Sequence, residues 1–226
     1  NYFPIRSPLN RIFLGLDKLG RLLEHLVPSG VRHRAIKKAE AWFIERLNGT
    51  DGLGGIFPAM VNALEALNLL GYPVNHPLRV DAKRALEKLL VIGEESAYCQ
   101  PCLSPMWDTC LAAAALLEAS GQKPTDDLVR ALDWLKERQL SDEPGDWRDR
   151  RPNLKGGGWA FEYANPHYPD LDDTAVIAWV MHLTGMERYR ESIRMAADWL
   201  EGMQSENGGF ASFDADNTNY YLNEIP

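Results

Sequence analysis

The chain has 226 residues and a mass of 25.5 kDa, enough for one large domain or two small ones with a sizeable buried core. Hydrophobic residues make up 45% of it and charged residues 25%, which excludes an intrinsically disordered chain. A net charge of −8 argues against a nucleic-acid partner. Its apolar runs are shorter than the roughly 20 residues that a membrane-spanning helix needs, and its first residues lack a signal-peptide pattern.

The first predicted element is an amphipathic helix over residues 11–27. Its apolar residues recur every three or four positions, and the main ones are Ile12, Phe13, Leu16, Leu19, Leu23 and Leu26. Three basic residues lie elsewhere around the helix: Arg11, Lys18 and Arg21. Such a helix lies at a membrane interface or packs its apolar face into its own domain, and periodicity alone does not choose between the two.

Two kinds of helix then alternate along the chain. The inner kind is apolar almost all round, ends in glycine and is predicted to be buried on every side; its copies are residues 58–71, 108–121 and 173–185. The outer kind keeps a polar face and has a Trp followed five residues later by Gln, as in Trp134 with Gln139 and Trp199 with Gln204. This alternation predicts an all-α fold, an α/α toroid or a solenoid, and it leaves open a scaffold without catalytic activity.

The chain has only three cysteines, at positions 99, 102 and 110, and such a small, odd number does not form a disulfide framework. Cys99 and Cys102 form a CxxC pair that is typical of redox or zinc sites. No second pair follows, however, and the five histidines are scattered along the sequence. We therefore predict free thiols.

Three carboxylates, Asp170, Asp172 and Asp173, stand before the third inner helix. Asp173 corresponds to Asp108 of the second inner helix, and both are expected to accept hydrogen bonds from backbone N–H groups at the helix start. The other two have no counterpart there, and Asp172 is the position that a scaffold role explains least. Since three carboxyls so close together cannot all ionise at low cost, those nearest the helix N–H groups are expected to hold a proton on the remaining one.

A carboxylic acid that keeps its proton is a proton donor when it faces an apolar cavity. Immediately upstream, Trp159, Phe161 and Tyr163 alternate along the sequence, and in an extended segment they would share one face. Aromatic faces stabilise cations, although aromatic rings also commonly fill the core between helices. The competing functional interpretation is a magnesium site for a phosphate substrate, but no basic residue directly accompanies the carboxylates.

The segment Asp170-Leu-Asp172-Asp173-Thr-Ala resembles the DxDDTA element of the squalene–hopene cyclases. The Trp/Gln/Gly helices resemble the QW repeats of that family, and Ser104-Pro-Met-Trp107-Asp108-Thr also fits its pattern. The resemblance extends from about Asn10 to the last residue. Class II diterpene cyclases share DxDD, whereas the oxidosqualene cyclases of animals and fungi use a DCTA element that this chain lacks.

The resemblance implies an enzyme that protonates squalene and closes its rings to hopene or hopanol, with no metal and no organic cofactor. Asp172 would be the general acid, and Asp170 and Asp173 would hold and polarise its proton. Trp107 and Phe161 match cavity aromatics that bind the polyene and stabilise cations. Phe213 falls where some members have a tyrosine.

The resemblance further implies that much of the enzyme, including the histidine that pairs with the middle aspartate, lies outside this sequence, so that the chain alone is inactive. Residues 1–102 would belong to the second α-barrel domain and residues 103–226 to the catalytic one, with a non-helical break over 96–105 between them. The helix at 11–27 matches the family's membrane-contacting helix. This implies a monotopic enzyme on the cytoplasmic side of the cell membrane, with squalene as substrate and a homodimer as a compatible assembly. A class II diterpene cyclase and a non-catalytic helical-repeat interaction protein remain the alternatives.

Overall fold

A computed structural model describes residues 7–163 and 165–225 of the chain. The α-helices of this part are α1 (Pro8–Leu23), α2 (Ser29–Glu45), α3 (Phe57–Leu69), α4 (Pro77–Lys88), α5 (Pro105–Ala119), α6 (Asp126–Lys136), α7 (Leu171–Leu183) and α8 (Arg190–Gly202). Short strands form two antiparallel pairs, β1 (Leu90–Ile92) with β2 (Ala97–Cys99) and β3 (Trp159–Ala160) with β4 (Pro169–Asp170). The predicted all-α class is confirmed. Within the described ranges, no helix has both the length and the apolar content needed to cross a membrane.

The chain forms two compact units, and the smaller one joins the described residues up to 44 with those from 217 onwards. In this unit Ser7 caps the start of α1, and its side chain accepts a hydrogen bond from the Asn10 backbone N–H at 3.3 Å. The Asn10 side chain donates to the Glu224 carbonyl oxygen at 2.6 Å, which links the helix start to the C-terminal segment. The helix begins earlier than predicted and passes into a 3₁₀ turn at 24–26. Its apolar face remains exposed.

The larger unit, residues 45–216, is built from helix pairs. The contacts join α3 to α4, α5 to α6 and α7 to α8, and the inner helices α5 and α7 also pack against each other. Their facing side chains form the main core, which includes Met106, Cys110, Leu117, Leu132, Trp159, Ile177 and Met181. The repeats predict α3, α5 and α7 as inner helices and α6 and α8 as outer ones, but they do not predict α4. The pairs match the helical repeats of an α/α toroid.

The inner helices bury one face instead of every side. Leu111 of α5 and Trp179 of α7 are exposed, as is Leu69 of α3 at 85%. The prediction of all-round burial is therefore wrong for the described residues. Each inner helix packs one side against its neighbours, and the described residues provide no cover for its other apolar side.

A glycine-rich segment passes between α6 and α8 and carries the chain to the carboxylates. A Cβ atom on Gly157 would lie 2.1 Å from the Met195 carbonyl oxygen of α8, so only glycine fits this approach. The Gln139 side chain donates to the carbonyl oxygens of Gly157 at 2.7 Å and Ser192 at 2.9 Å. The Gln of the repeat thus fixes the segment against the outer helix. Trp159 follows, completely buried.

Two local features concern the ends of helices and the break between them. Gly71, Gly121 and Gly185 adopt φ values of 81°, 66° and 63° at the ends of the inner helices, as the sequence predicts.

The break at 96–105 contains β2, which pairs with β1 in a hairpin that the sequence did not predict. The three cysteines are free thiols, in agreement with the prediction.

Candidate active site

Asp170 forms the cap of α7. Its Oδ1 atom accepts hydrogen bonds from the backbone N–H groups of Asp172 at 2.8 Å and Asp173 at 3.4 Å. Burial raises the pKa of this carboxyl, and the two N–H donors oppose the rise. The prediction that Asp173 caps the helix is wrong, because the helix begins at Leu171 and places Asp173 inside its first turn.

Asp173 is the most deeply buried of the three carboxylates, with 1% of its surface exposed. Burial raises its pKa from 3.8 to about 8, and the nearby charges of Asp170, Asp172 and Asp108 add to the rise. Its Oδ1 atom has no hydrogen-bond partner among the described residues. The expectation that Asp173 stays charged is therefore wrong, because burial outweighs the favourable position at the helix start.

Asp172 is exposed at the start of α7. Its neighbours hold the backbone on either side of it in place, since Thr174 donates from Oγ1 to the Asp170 carbonyl oxygen at 2.6 Å. The same hydroxyl accepts from the backbone N–H of Trp159 at 2.9 Å. Strand β3, strand β4 and the first turn of α7 therefore form one hydrogen-bonded unit around the carboxylates.

A cavity of about 430 Å³ opens beside Asp170. It is lined by Gly54, Ile56, Phe161, Glu162, Asn165, Tyr168, Asp170 and Phe213. Three of the predicted site residues, Asp170, Phe161 and Phe213, therefore meet at one cavity, although Phe213 lies more than 40 residues beyond the other two. The backbone N–H of Leu171 donates to the Ser212 carbonyl oxygen at 2.9 Å, which holds the loop carrying Phe213 next to the helix start.

The other predicted site residues lie outside this lining. Trp107 is partly buried on α5, where it packs against the main core. Trp159, Phe161 and Tyr163 do not share a face, because β3 ends at residue 160 and the chain then bends. Trp159 fills the core, Phe161 lines the cavity, and Tyr163 packs edge-on against Trp134 with ring centroids 6.0 Å apart.

A buried polar network supports the aromatic wall of the cavity, and the sequence analysis missed it. The Tyr168 hydroxyl donates to the Asp146 carboxylate, which also pairs with the Arg46 guanidinium. Burial alone would raise the pKa of Asp146, but the hydrogen bonds from Arg46 and Tyr168 lower it below its usual value. The Tyr168 ring packs edge-on against Phe213 with centroids 6.3 Å apart.

Glu162 and Asn165 complete the polar part of the lining and were also missed. Both are at least 95% buried. The available sequence signal was an isolated acidic residue inside the aromatic segment that precedes the carboxylates. Among the described residues, no group of three or more His, Cys, Asp or Glu side chains is arranged to hold a metal ion.

Family models match most of the chain. Residues 103–226 match the squalene–hopene cyclase C-terminal domain, and residues 3–95 match the squalene–hopene cyclase N-terminal domain. The division of this chain into barrel domains at residue 102 stays a prediction.

Individual relatives agree with the family models. The chain is 48% identical over 219 residues to a probable squalene–hopene cyclase of Sinorhizobium fredii, covering 95% of this chain and 34% of the relative. It is 48% identical over 221 residues to a squalene–hopene cyclase of Bradyrhizobium diazoefficiens, covering 95% of this chain and 33% of the relative. It is 40% identical over 222 residues to a squalene–hopene cyclase of Alicyclobacillus acidocaldarius, covering 95% and 34%. The chain thus spans about a third of the length of the curated relatives it matches.

Proposed function

Because this chain belongs to the squalene–hopene cyclase family, we propose that the protein containing it is a triterpene cyclase that converts squalene to hopene or hopanol. The observation that carries the proposal is a cluster of three carboxyls at the start of α7, one of which opens onto an aromatic cavity. Squalene has no group that a polar site could hold, so the reaction must begin with a proton delivered to one of its double bonds. The cluster and the cavity supply the two requirements of that step, an acid and a surface that tolerates a carbocation.

The acid is the carboxyl cluster acting as a set. Burial keeps a proton on the cluster at neutral pH, since the pKa of Asp173 lies near 8. Asp172 is the exposed member of the cluster. We therefore assign Asp172 as the general acid that gives its proton to the terminal alkene carbon, with Asp170 and Asp173 controlling its charge. The resulting cation is attacked by the next double bond in turn, and the last cation loses a proton or takes up water.

The aromatic wall of the cavity is what stabilises the carbocation intermediates. Ring faces attract positive charge through their quadrupole, and the wall beside Asp170 contains Phe161, Tyr168 and Phe213. Since Phe213 replaces the tyrosine of some family members, it stabilises a cation without donating a hydrogen bond. Trp107 lies outside this lining, and its contact with the polyene stays a prediction.

The test uses a full-length cyclase that contains this chain. Detergent extracts are incubated with squalene in EDTA, and the lipids are analysed by gas chromatography with mass spectrometry. A pentacyclic product is expected from the unchanged protein, and Asp172→Asn should lower its rate by at least about 10³-fold. Asp126→Asn is the matched control, since Asp126 is an exposed aspartate in the first turn of α6.

Three outcomes contradict parts of the proposal. A bicyclic product from a prenyl diphosphate with Mg²⁺, and none from squalene, would indicate a class II diterpene cyclase. No product from either substrate would support a non-catalytic helical-repeat protein. Full activity of Asp172→Asn together with loss in Asp173→Asn would move the general acid to Asp173.

We also propose that α1 attaches the enzyme to the cytoplasmic face of the cell membrane as a monotopic protein. Leu16 and Leu19 are at least half exposed, and most of the other apolar side chains of α1 are exposed as well. An exposed amphipathic helix of this kind inserts its apolar face into the lipid interface, where squalene is also found.

The membrane proposal is tested by sedimentation of the full-length cyclase with phosphatidylglycerol-containing vesicles. The double variant Leu16→Glu, Leu19→Glu should stay in the supernatant. Val74→Glu is the control, since it introduces the same charge at a position that is 78% exposed outside α1. Unchanged sedimentation of the double variant would refute the role of α1. The homodimer that the resemblance allows is measured on the same preparation by analytical ultracentrifugation.

A further inference from the structure

Glu162 is a second buried acid at the cavity, and the proposed reaction does not use it. Only 2% of its surface is exposed, and it lines the cavity beside Phe161 and across from Asp170. A buried carboxylate normally needs a cationic partner, because an unpaired charge is costly to remove from water. No basic side chain contributes to the interactions that set the charge of Glu162 in the described structure. The burial of this acid therefore requires another explanation.

The contacts of Glu162 join two segments of the chain. Its Oε1 atom accepts a hydrogen bond from the Asn48 side chain at 2.9 Å, and Asn165 also hydrogen-bonds to the carboxyl. Its Oε2 atom lies over Gly55, where a Cβ atom would be only 2.7 Å away. The backbone of Gly55 in turn accepts from the Leu103 N–H at 3.1 Å. Glu162 thus fixes segment 48–55, which contributes Gly54 to the lining and leads directly into Ile56, against the segment that carries Phe161.

Burial and the charge of Asp51 favour a neutral acid, and the side-chain hydrogen bonds from Asn165 and Asn48 oppose them. Burial raises the pKa of Glu162 to about 7, and the charge of Asp51 on the adjoining 3₁₀ turn adds to the rise. Asp51 is itself paired with Lys88 at 3.4 Å. The Oδ1 atom of buried Asn165 has no partner among the described residues, and a protonated carboxyl has the O–H donor that a carboxylate lacks.

We propose that Glu162 is a positioning residue, a neutral hydrogen-bonding acid that holds segments 48–55 and 161–165 together and so fixes Phe161 in the cavity wall. This inference rests on the proposed cyclase function. Ionisation of Glu162 removes the O–H donor and leaves an unpaired charge in the wall, so the wall loosens as pH rises past 7. The acid therefore supports cyclisation without touching the reacting atoms.

The experiment compares Glu162→Gln and Glu162→Ala in a full-length cyclase containing this chain. Glutamine keeps a donor and an acceptor and cannot ionise, so its variant should match the unchanged protein at pH 6 and should lose the decline of kcat/KM above pH 7. Alanine should lower kcat by about 10- to 100-fold at every pH, with a smaller change in KM. The reason is that a displaced Phe161 ring weakens stabilisation of the transition state more than it weakens substrate binding. Rescue by glutamine combined with an altered pH profile is a result that a purely structural role would not give.

A glycine pair provides an independent comparison. Gly54 and Gly55 have similar φ values of 66° and 65°, so Gly54→Ala and Gly55→Ala carry the same backbone strain. Only the second introduces a Cβ atom against the Glu162 carboxyl, since the nearest side-chain atoms to a Cβ on Gly54 are 4.0 Å away. Gly55→Ala should therefore lower kcat further than Gly54→Ala. Equal effects of the two variants would contradict the contact.

The proposal is overturned if Glu162→Gln retains the alkaline decline, or if Glu162→Ala behaves like the unchanged protein. Infrared spectra recorded along a pH titration separate this failure from a failure of the cyclase function. A carboxylic-acid C=O band that disappears near pH 7 in the unchanged protein and is missing in Glu162→Gln supports the neutral acid even if squalene is not the substrate. If the band persists in Glu162→Gln, the neutral acid is another residue.

Discussion

Replacing Asp173 by asparagine should make the folded protein more stable and the enzyme less active. Asp173 is buried with a pKa near 8, whereas an aspartate in the unfolded chain has a pKa near 3.8. Between these values the folded state holds one proton more than the unfolded state. The free energy of unfolding therefore falls by about 1.4 kcal/mol for each unit of rising pH, or by about 4 kcal/mol from pH 4 to pH 7.

Asparagine has nearly the same volume and does not titrate, so the Asp173→Asn variant should lack this decline. Its advantage in unfolding free energy over the unchanged protein should grow with pH and level off above pH 8. The measurement is urea denaturation of a full-length cyclase containing this chain at pH 5, 6, 7 and 8, followed by tryptophan fluorescence. Squalene cyclisation should fall by at least about 10²-fold in the same variant, because the cluster loses the carboxyl that retains its proton. More stability with less activity is typical of a residue kept for function.

Asp126→Asn is the matched control, because Asp126 is an exposed aspartate in the first turn of α6. It should change the unfolding free energy by less than about 0.5 kcal/mol. The reasoning is refuted if Asp173→Asn and the unchanged protein show parallel pH profiles, since Asp173 would then be ionised in the folded state. A loss of stability at every pH would instead identify Asp173 as a structural residue.

Two further predictions concern the elements that support the site. Gly157→Ala should lower the unfolding free energy by about 3 kcal/mol in urea denaturation, because the added Cβ atom would lie 2.1 Å from the Met195 carbonyl oxygen. Gly20→Ala is the control: Gly20 has open space around it, so this variant should change the unfolding free energy by less than about 1 kcal/mol. Asp146→Asn should lower the unfolding free energy by about 2 kcal/mol at pH 7, since the buried Arg46 guanidinium loses its ion pair with Asp146. Because the pKa of Asp146 is lowered in the folded state, this difference should disappear as pH falls through that pKa, and a constant difference down to acidic pH would contradict the pairing.

The helices and the motif were accessible from the sequence because their signals are local. Apolar residues spaced by three and four positions predicted the inner and outer helices, and glycine at the ends predicted where α3, α5 and α7 stop. The aspartates of DxDD were identified because two of them have no counterpart in the sister repeat. These features depend on residues within one helix or one turn.

The hairpin of β1 and β2 and the aromatic segment show where such local signals fail. Strands of two or three residues are too short for an alternating pattern to be recognised. The turn after β3 separates Trp159 from Phe161, so the alternation of the aromatics did not give a common face. A single bend in the backbone decided which ring entered the core and which entered the cavity.

The protein therefore owes its repeats, its all-helical class and the position of its acidic motif to sequence patterns that are readable by themselves. The tertiary structure decided which of two neighbouring carboxyls is buried, because Asp172 and Asp173 are about 100° apart around α7 and only Asp173 points into the packed interior. It also decided that Glu162 faces the cavity, since its partner Asn48 is 114 residues away in the chain. Burial and contacts between distant segments set the charge of an acid, and the residues that flank the acid in sequence predict neither of them.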